Sequence, residues 1–156
     1  LRRMRRHLAE PYERLTMTEY AKPLPVHDAD SEPFWNACRE HKLLAQRCAD
    51  CGTWRFPPRG MCPQCASWQA EWVELPGTGT IQTFVAPHRA FTPGFTDEAP
   101  YVIAHVEMDG TGGRVVVVGN LVDCPWTHAR VGLPVKVVFD DVTPEITLPK
   151  FEPVER

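Results

Sequence analysis

The chain has 156 residues, 43% of them hydrophobic, and a formal charge of −3; such a length forms one ordinary domain or two small packed ones and can bury roughly two thirds of its unfolded surface. Of the 17 basic and 20 acidic residues, five and two lie within residues 1–16, which leaves 12 against 18 and a body at −6, a balance that argues against the continuous basic groove a phosphate backbone demands. No apolar run approaches the ~18–20 residues of a membrane span, and the longest β-rich run, Val115–Val118, is of strand length.

In chain order, residues 1–30 read as an N-terminal arm. Leu1, Met4, Leu8, Tyr12 and Leu15 follow helical spacing that Pro11 interrupts. The basic start is not followed by an apolar h-region, so no secretory leader is expected. Met17 in "MTEY" reads as a natural beginning, with residues 1–16 as an upstream extension or arm. The alternating prolines of "AKPLPVHD" predict an extended segment. Residues 31–45 then read as a helix. Asp30 or Ser31 can cap it, Glu32 suits the positive first turn and Pro33 is tolerated there. Phe34, Trp35 and Cys38 fall on one side at i, i+1 and i+4. That face is either core or a dock for a partner.

Residues 46–67 hold "CADCGTWRFPPRGMCPQC", with four of the six cysteines in two C-x-x-C pairs. A redox C-x-x-C would be single and tied to a βαβ unit, which the pattern does not supply. Disulfides suit an exported chain, and no export signal is read here. Two close pairs of thiolates suit one tetrahedral ion, so Cys48, Cys51, Cys62 and Cys65 are the expected ligands of a structural Zn2+, with iron as the lesser alternative. Gly52 supplies the positive φ a knuckle needs, and Pro63 stiffens the second knuckle. Four cysteines fill the tetrahedron, so the ion folds the ribbon rather than catalysing. Cys38 and Cys124 lie outside the pattern and read as buried, reduced thiols.

Residues 68–156 turn to strands. Five are predicted: Trp68–Leu75, 77–86, 101–108, 114–122 and 135–140. Five short strands with glycine kinks predict a small closed or half-open barrel. The loop 87–100 carries His88, Arg89, Phe91 and Phe95, and "DCPWTHARVGLP" (123–134) is expected to form a short helical plug.

The order of these parts carries a resemblance. "SEPFW", "LLAQRCADCG", "RFPPRGMCPQC" and "WVELPGTGTI" are followed by "PYVIAHVEM", "GNLV" and "VGLPVKVVF". Over residues 17–151 the chain resembles the rubredoxin-like zinc-ribbon plus OB-fold family of acyl-CoA-associated accessory proteins. The resemblance implies a mainly β chain: an N-terminal helix, a zinc ribbon, then a five-stranded OB-fold barrel with a C-terminal tail. It also implies partners: a thiolase-fold enzyme, such as a thiolase or a sterol side-chain aldolase, or a hot-dog-fold enoyl-CoA hydratase. One departure is Ala66, where the family commonly has glycine after the second knuckle.

Three functions follow for weighing. The first is a non-catalytic, cytoplasmic subunit that completes an acyl-CoA complex. Coenzyme A calls for a few cations at a mouth with apolar walls, and Arg55, Arg59, His88 and Arg89 with Phe91 and Phe95 are the candidates for contact with coenzyme A or the partner. For each arginine the alternative is a solvated surface charge. Phe34 and Trp35 are the candidate partner-docking pair. The second function is single-stranded nucleic-acid binding, the common use of a ribbon and OB barrel, which the acidic body opposes. The third is an independent enzyme. His88, His105 and His128 are scattered, His105 reads as a packed strand histidine, and the adjacent acids Asp97-Glu98 and Asp140-Asp141 point to opposite faces of an extended chain. No catalytic residues are assigned.

Overall fold

The computed structural model describes residues 20–154. The helical spacing of residues 1–16 and the Met17 start lie outside the described residues.

Helix α1 (Glu32–Arg39) begins after an Asp28–Ser31 clasp. The Ser31 hydroxyl donates to Asp28 Oδ1 at 2.6 Å, and Asp28 Oδ1 also accepts the Ser31 N–H at 2.8 Å. Ser31 therefore sits at the N-cap position without capping through its side chain, and Asp30 instead accepts the Gly60 N–H at 3.2 Å. The helix stops well short of residue 45. The His41 N–H donates to the Cys38 carbonyl and the Lys42 N–H to the Ala37 carbonyl, both at 2.9 Å, with His41 at φ +57°. This is a Schellman ending with histidine in the left-handed position that glycine usually fills.

The chain released by that ending forms β1 (Leu44–Cys48), which pairs antiparallel with β2 (Trp54–Arg55) on one side and β3 (Ala70–Glu74) on the other. The segment Trp68–Leu75, expected as the first barrel strand, thus belongs to the ribbon sheet. The five-stranded barrel runs β4 (Thr78–Val85), β5 (Val102–Met108), β6 (Val116–Leu121), β7 (Pro134–Asp141) and β8 (Thr147–Pro153), closed in the order β4-β5-β6-β8-β7. Its fifth strand, β8, falls in the segment read as a tail. Alternate residues Thr147, Pro149 and Phe151 are buried. The Val154 N–H reaches the Pro134 carbonyl, so even-numbered residues of β8 face β7 and Pro149 lacks an N–H only on the side away from that ladder. The 87–100 loop contains one 3-10 turn at Pro93–Phe95, and the 123–134 segment another at Trp126–His128.

One apolar core joins the parts. Phe34 and Cys38 of α1 and Leu43 and Ala45 of the ribbon belong to the same buried cluster as Val106, Val117 and Phe151 of the barrel. Among the described residues, no helix is long and apolar enough to cross a membrane.

Candidate metal centre and flanking site residues

The four cysteines arrive on two turns of the same design. The first leaves β1 at Cys48, and the Gly52 N–H closes it on the Cys48 carbonyl at 2.9 Å. The second starts at Cys62, and the Ala66 N–H closes it on the Cys62 carbonyl at 2.9 Å. Each turn is returned by a further bond, Cys48 N–H to the Thr53 carbonyl and Cys62 N–H to the Ser67 carbonyl. The Ser67 hydroxyl also donates to Asp50 at 2.5 Å, tying one knuckle to the other.

This arrangement brings all four sulfurs within 4.8 Å of one another. Cys48 Sγ lies 3.6 Å from Cys65 Sγ, and Cys51 Sγ lies 3.6 Å from Cys62 Sγ. A regular tetrahedron of about 2.3 Å metal–sulfur bonds has sulfur–sulfur edges of about 3.8 Å, so the cluster fits a zinc-sized ion. Cys48 and Cys62 are buried, whereas Cys51 and Cys65 lie toward solvent. Hydrogen bonds bias two of the thiols, Cys51 and Cys48, toward ligand form. The bond with Thr53, whose Oγ1 lies 3.2 Å away, brings Cys51 down to about 6. Backbone N–H groups of Cys51 and Asp50 lower Cys48. The Ser67 N–H also lowers Cys65, but the combined pull of Cys51, burial, Cys48 and Cys62 outweighs it and holds that thiol up at about 12. A divalent cation removes this conflict, because it stabilises thiolate at every ligand.

Arg55, expected at a solvent-facing mouth, is 1% exposed. Its Nη1 donates to the carbonyls of Arg59 at 3.2 Å and Gly60 at 3.0 Å, and its Nη2 to the Gln69 carbonyl at 2.6 Å. Gln46 Oε1 accepts the Arg59 N–H at 3.1 Å. The guanidinium thus braces the backbone that leads into and out of the second knuckle, and its fixed fork suits that task. Arg59 itself is exposed.

The candidate docking pair divides. Phe34 is buried and meets Trp35 and Phe56 edge-on, with centroids 5.0 and 5.7 Å away. Trp35 is half-buried, stacks on His27 at 5.4 Å, and lines a trough of about 480 Å³ with Phe56, Pro57, Val116 and Val118. Sequence reading missed this trough, because strands far apart in the chain form its walls.

The loop candidates lie on the connection from β4 to β5 and are not among the residues that line the trough. His88 meets Trp126 edge-on at 4.6 Å. His88 and Arg89 are exposed, and Phe91 is 83% exposed. Phe95 stacks on Tyr101 at 4.7 Å beneath the Lys22 ammonium. His105 is exposed on β5 opposite Val118, not packed. Cys38 is fully buried, with burial pushing its thiol up to about 12, whereas Cys124 is only partly buried.

Comparison with known proteins returns a consistent pattern. Residues 35–67 match the family described as the ChsH2 rubredoxin-like zinc ribbon domain, and residues 72–140 match the ChsH2 C-terminal OB-fold domain. A probable enoyl-CoA hydratase alpha subunit of Thermomonospora curvata is 37% identical over 132 residues, 85% of this chain and 40% of that protein. A DUF35 domain-containing scaffold protein of Methanocaldococcus jannaschii is 35% identical over 129 residues, 78% of this chain and 89% of that one. A solved structure titled Ltp2-ChsH2(DUF35) aldolase superposes with a TM-score of 0.75 at 35% identity, covering 83% of this chain and 98% of the other. The chain therefore spans well under half of the hydratase subunit and nearly the whole of the scaffold protein.

Proposed function

The chain belongs to the ChsH2 (DUF35) family of rubredoxin-like zinc-ribbon and OB-fold proteins, and from that premise we propose that it is a non-catalytic subunit of a cytoplasmic acyl-CoA-processing complex. Its partner is a thiolase-fold enzyme, such as a thiolase or sterol side-chain aldolase, or a hot-dog-fold enoyl-CoA hydratase. One observation carries the reading: a chain that matches a scaffold protein over 89% of that protein's length gathers its four clustered cysteines around a single point. Cys48, Cys51, Cys62 and Cys65 would hold a structural Zn2+, which supplies folding free energy and leaves no coordination position for a reactant.

The chain's own residues supply binding surfaces. Arg55 and Gln46 fix the backbone before the second knuckle and so hold exposed Arg59 beside the ribbon. His88, Arg89, Phe91 and Phe95 offer two polar groups and two rings on the β4–β5 loop, a set suited to the phosphates and pantetheine of coenzyme A or to the partner's surface.

A tagged pull-down from the native cell, with protein identification and zinc analysis of the same eluate, tests this. A thiolase-fold or hot-dog enzyme should co-elute with one zinc per chain, and the isolated chain should turn over no acyl-CoA. Turnover by the chain alone would sink the accessory reading. Steeply salt-dependent binding of single-stranded nucleic acid would replace it with the nucleic-acid one.

A further inference from the structure

The trough beside Trp35 lies where two barrel strands part. β6 and β8 pair only at Leu121↔Phe151, where the Val122 N–H reaches the Phe151 carbonyl at 2.7 Å. Gly119 lets β8 pass close by: a Cβ there would stand 3.0 Å from the Phe151 ring and 3.1 Å from the Pro149 carbonyl. On the N-terminal side of this crossing β6 pairs with β5 alone. The Met108 N–H bonds the Val115 carbonyl, so odd-numbered residues of β6 face β5, and the N–H and C=O groups of Val116 and Val118 face the opening. Neither residue has a strand partner on that side among the described residues. Phe34 and Trp35 of α1, the "FPP" turn and Leu148 and Pro149 of β8 also line the opening, and Val118 is 54% exposed.

We propose that this opening receives an extended, uncharged apolar peptide segment of a partner protein as an added strand on β6. An open strand edge invites such pairing, with backbone bonds giving affinity and side-chain pockets giving selectivity. Charge complementarity selects the occupant: among the described residues Lys150 is the one charged residue lining the trough, and it is already ion-paired with Asp140. Coenzyme A phosphates therefore find no free cation there among the described residues. A hydrocarbon chain would cover the Val116 and Val118 amides without satisfying them. The inference concerns this edge alone and stands apart from the chemistry of the partner.

A random linear heptapeptide display library selected on the full chain tests it. Enriched peptides should carry apolar residues at alternate positions. A synthetic copy should slow hydrogen exchange at the Val116 and Val118 amides at least tenfold. Val118→Lys, at an exposed position, should weaken binding at least tenfold without lowering the melting temperature, and N-methylation at alternate peptide amides should abolish binding. No enrichment over the naive library, protection confined to other strands, or equal binding of the N-methylated peptide each overturns the proposal. Dodecanoate that binds the trough and displaces the peptides overturns it in favour of an acyl-chain site. None of these outcomes bears on whether the chain co-elutes with an acyl-CoA enzyme.

Discussion

Gly52 and Ala66 occupy equivalent places in the two cysteine turns. Each donates its N–H to the carbonyl of the first cysteine of its pair at 2.9 Å, and each does so from the left-handed region, at φ +71° and +58°. The backbone is the same at both; the side chain is not. A non-glycine residue in that region carries about 1–2 kcal/mol of strain, partly offset by about 0.5–1 kcal/mol of chain entropy that glycine would lose. Ala66→Gly should therefore stabilise the zinc-loaded protein by up to about 1 kcal/mol, read as a higher melting temperature. A lower one would mean that the methyl group packs usefully in the second turn.

Metal content separates ligand from bystander thiols. Cys48→Ser and Cys62→Ser should lose the ion and, with it, solubility, whereas Cys124→Ser should retain it. Equal zinc-to-protein ratios across the three variants would contradict the assignment. Chelation of the parent protein should lower its melting temperature, because the ion binds only the folded ribbon.

Arg55→Met tests the brace. It leaves the carbonyls of Arg59, Gly60 and Gln69 without their donor and empties the place of a side chain that is 1% exposed, at a cost of about 3 kcal/mol. Arg55→Lys should recover little, since a single ammonium cannot span three carbonyls placed for a planar fork. The measurement is the denaturant midpoint at saturating zinc, and a change under about 0.5 kcal/mol would make Arg55 a passenger.

Acid should act through Asp141. Hydrogen bonds from Thr147, at 2.6 Å, and then from His41 hold its carboxyl below the usual carboxylate range. A carboxylate depressed in the folded state adds stability above its unfolded value of about 3.9, and that stability is lost as pH falls through the folded value. Asp141→Asn should thus flatten the fall in melting temperature below about pH 4. The same stability is what Asp141→Asn removes at pH 7, a small amount because the Asp141–His41 pair is more than half exposed. An unchanged acid limb would show that other carboxylates control it.

Trp35 and Phe34 should behave differently although adjacent. Phe34→Ala removes a ring that is 5% exposed and should cost about 3–5 kcal/mol. Trp35→Ala should weaken co-purification with the partner more than it lowers the melting temperature. If melting alone changes, the indole is only core.

The cysteine spacing and the order of parts made the ribbon and the barrel legible in the sequence, because ligand geometry is local and strand periodicity is short-range. What escaped depended on contacts across the chain. β8 was hidden because "TLPKFEP" contains two prolines and two charges, and only its register against β7 explains why they are tolerated. β3 reads as a barrel strand in the sequence because nothing in its composition says which sheet it joins. The burial of Arg55 rests on carbonyls four to fourteen residues away, a relation no residue pattern encodes. The helix reads longer in the sequence than it is because histidine, not glycine, takes the left-handed position at its end.

The shared buried cluster limits how the molecule can be dissected. Phe34, Leu43 and Ala45 pack in one body with Ile81, Val106 and Phe151, so a cut before β4 would strip the barrel of part of its own lining. A fragment of residues 76–154 should emerge sticky and poorly soluble, although its five strands are all present. The two recognisable modules are therefore two names for stretches of sequence, while the unit that survives alone is the pair.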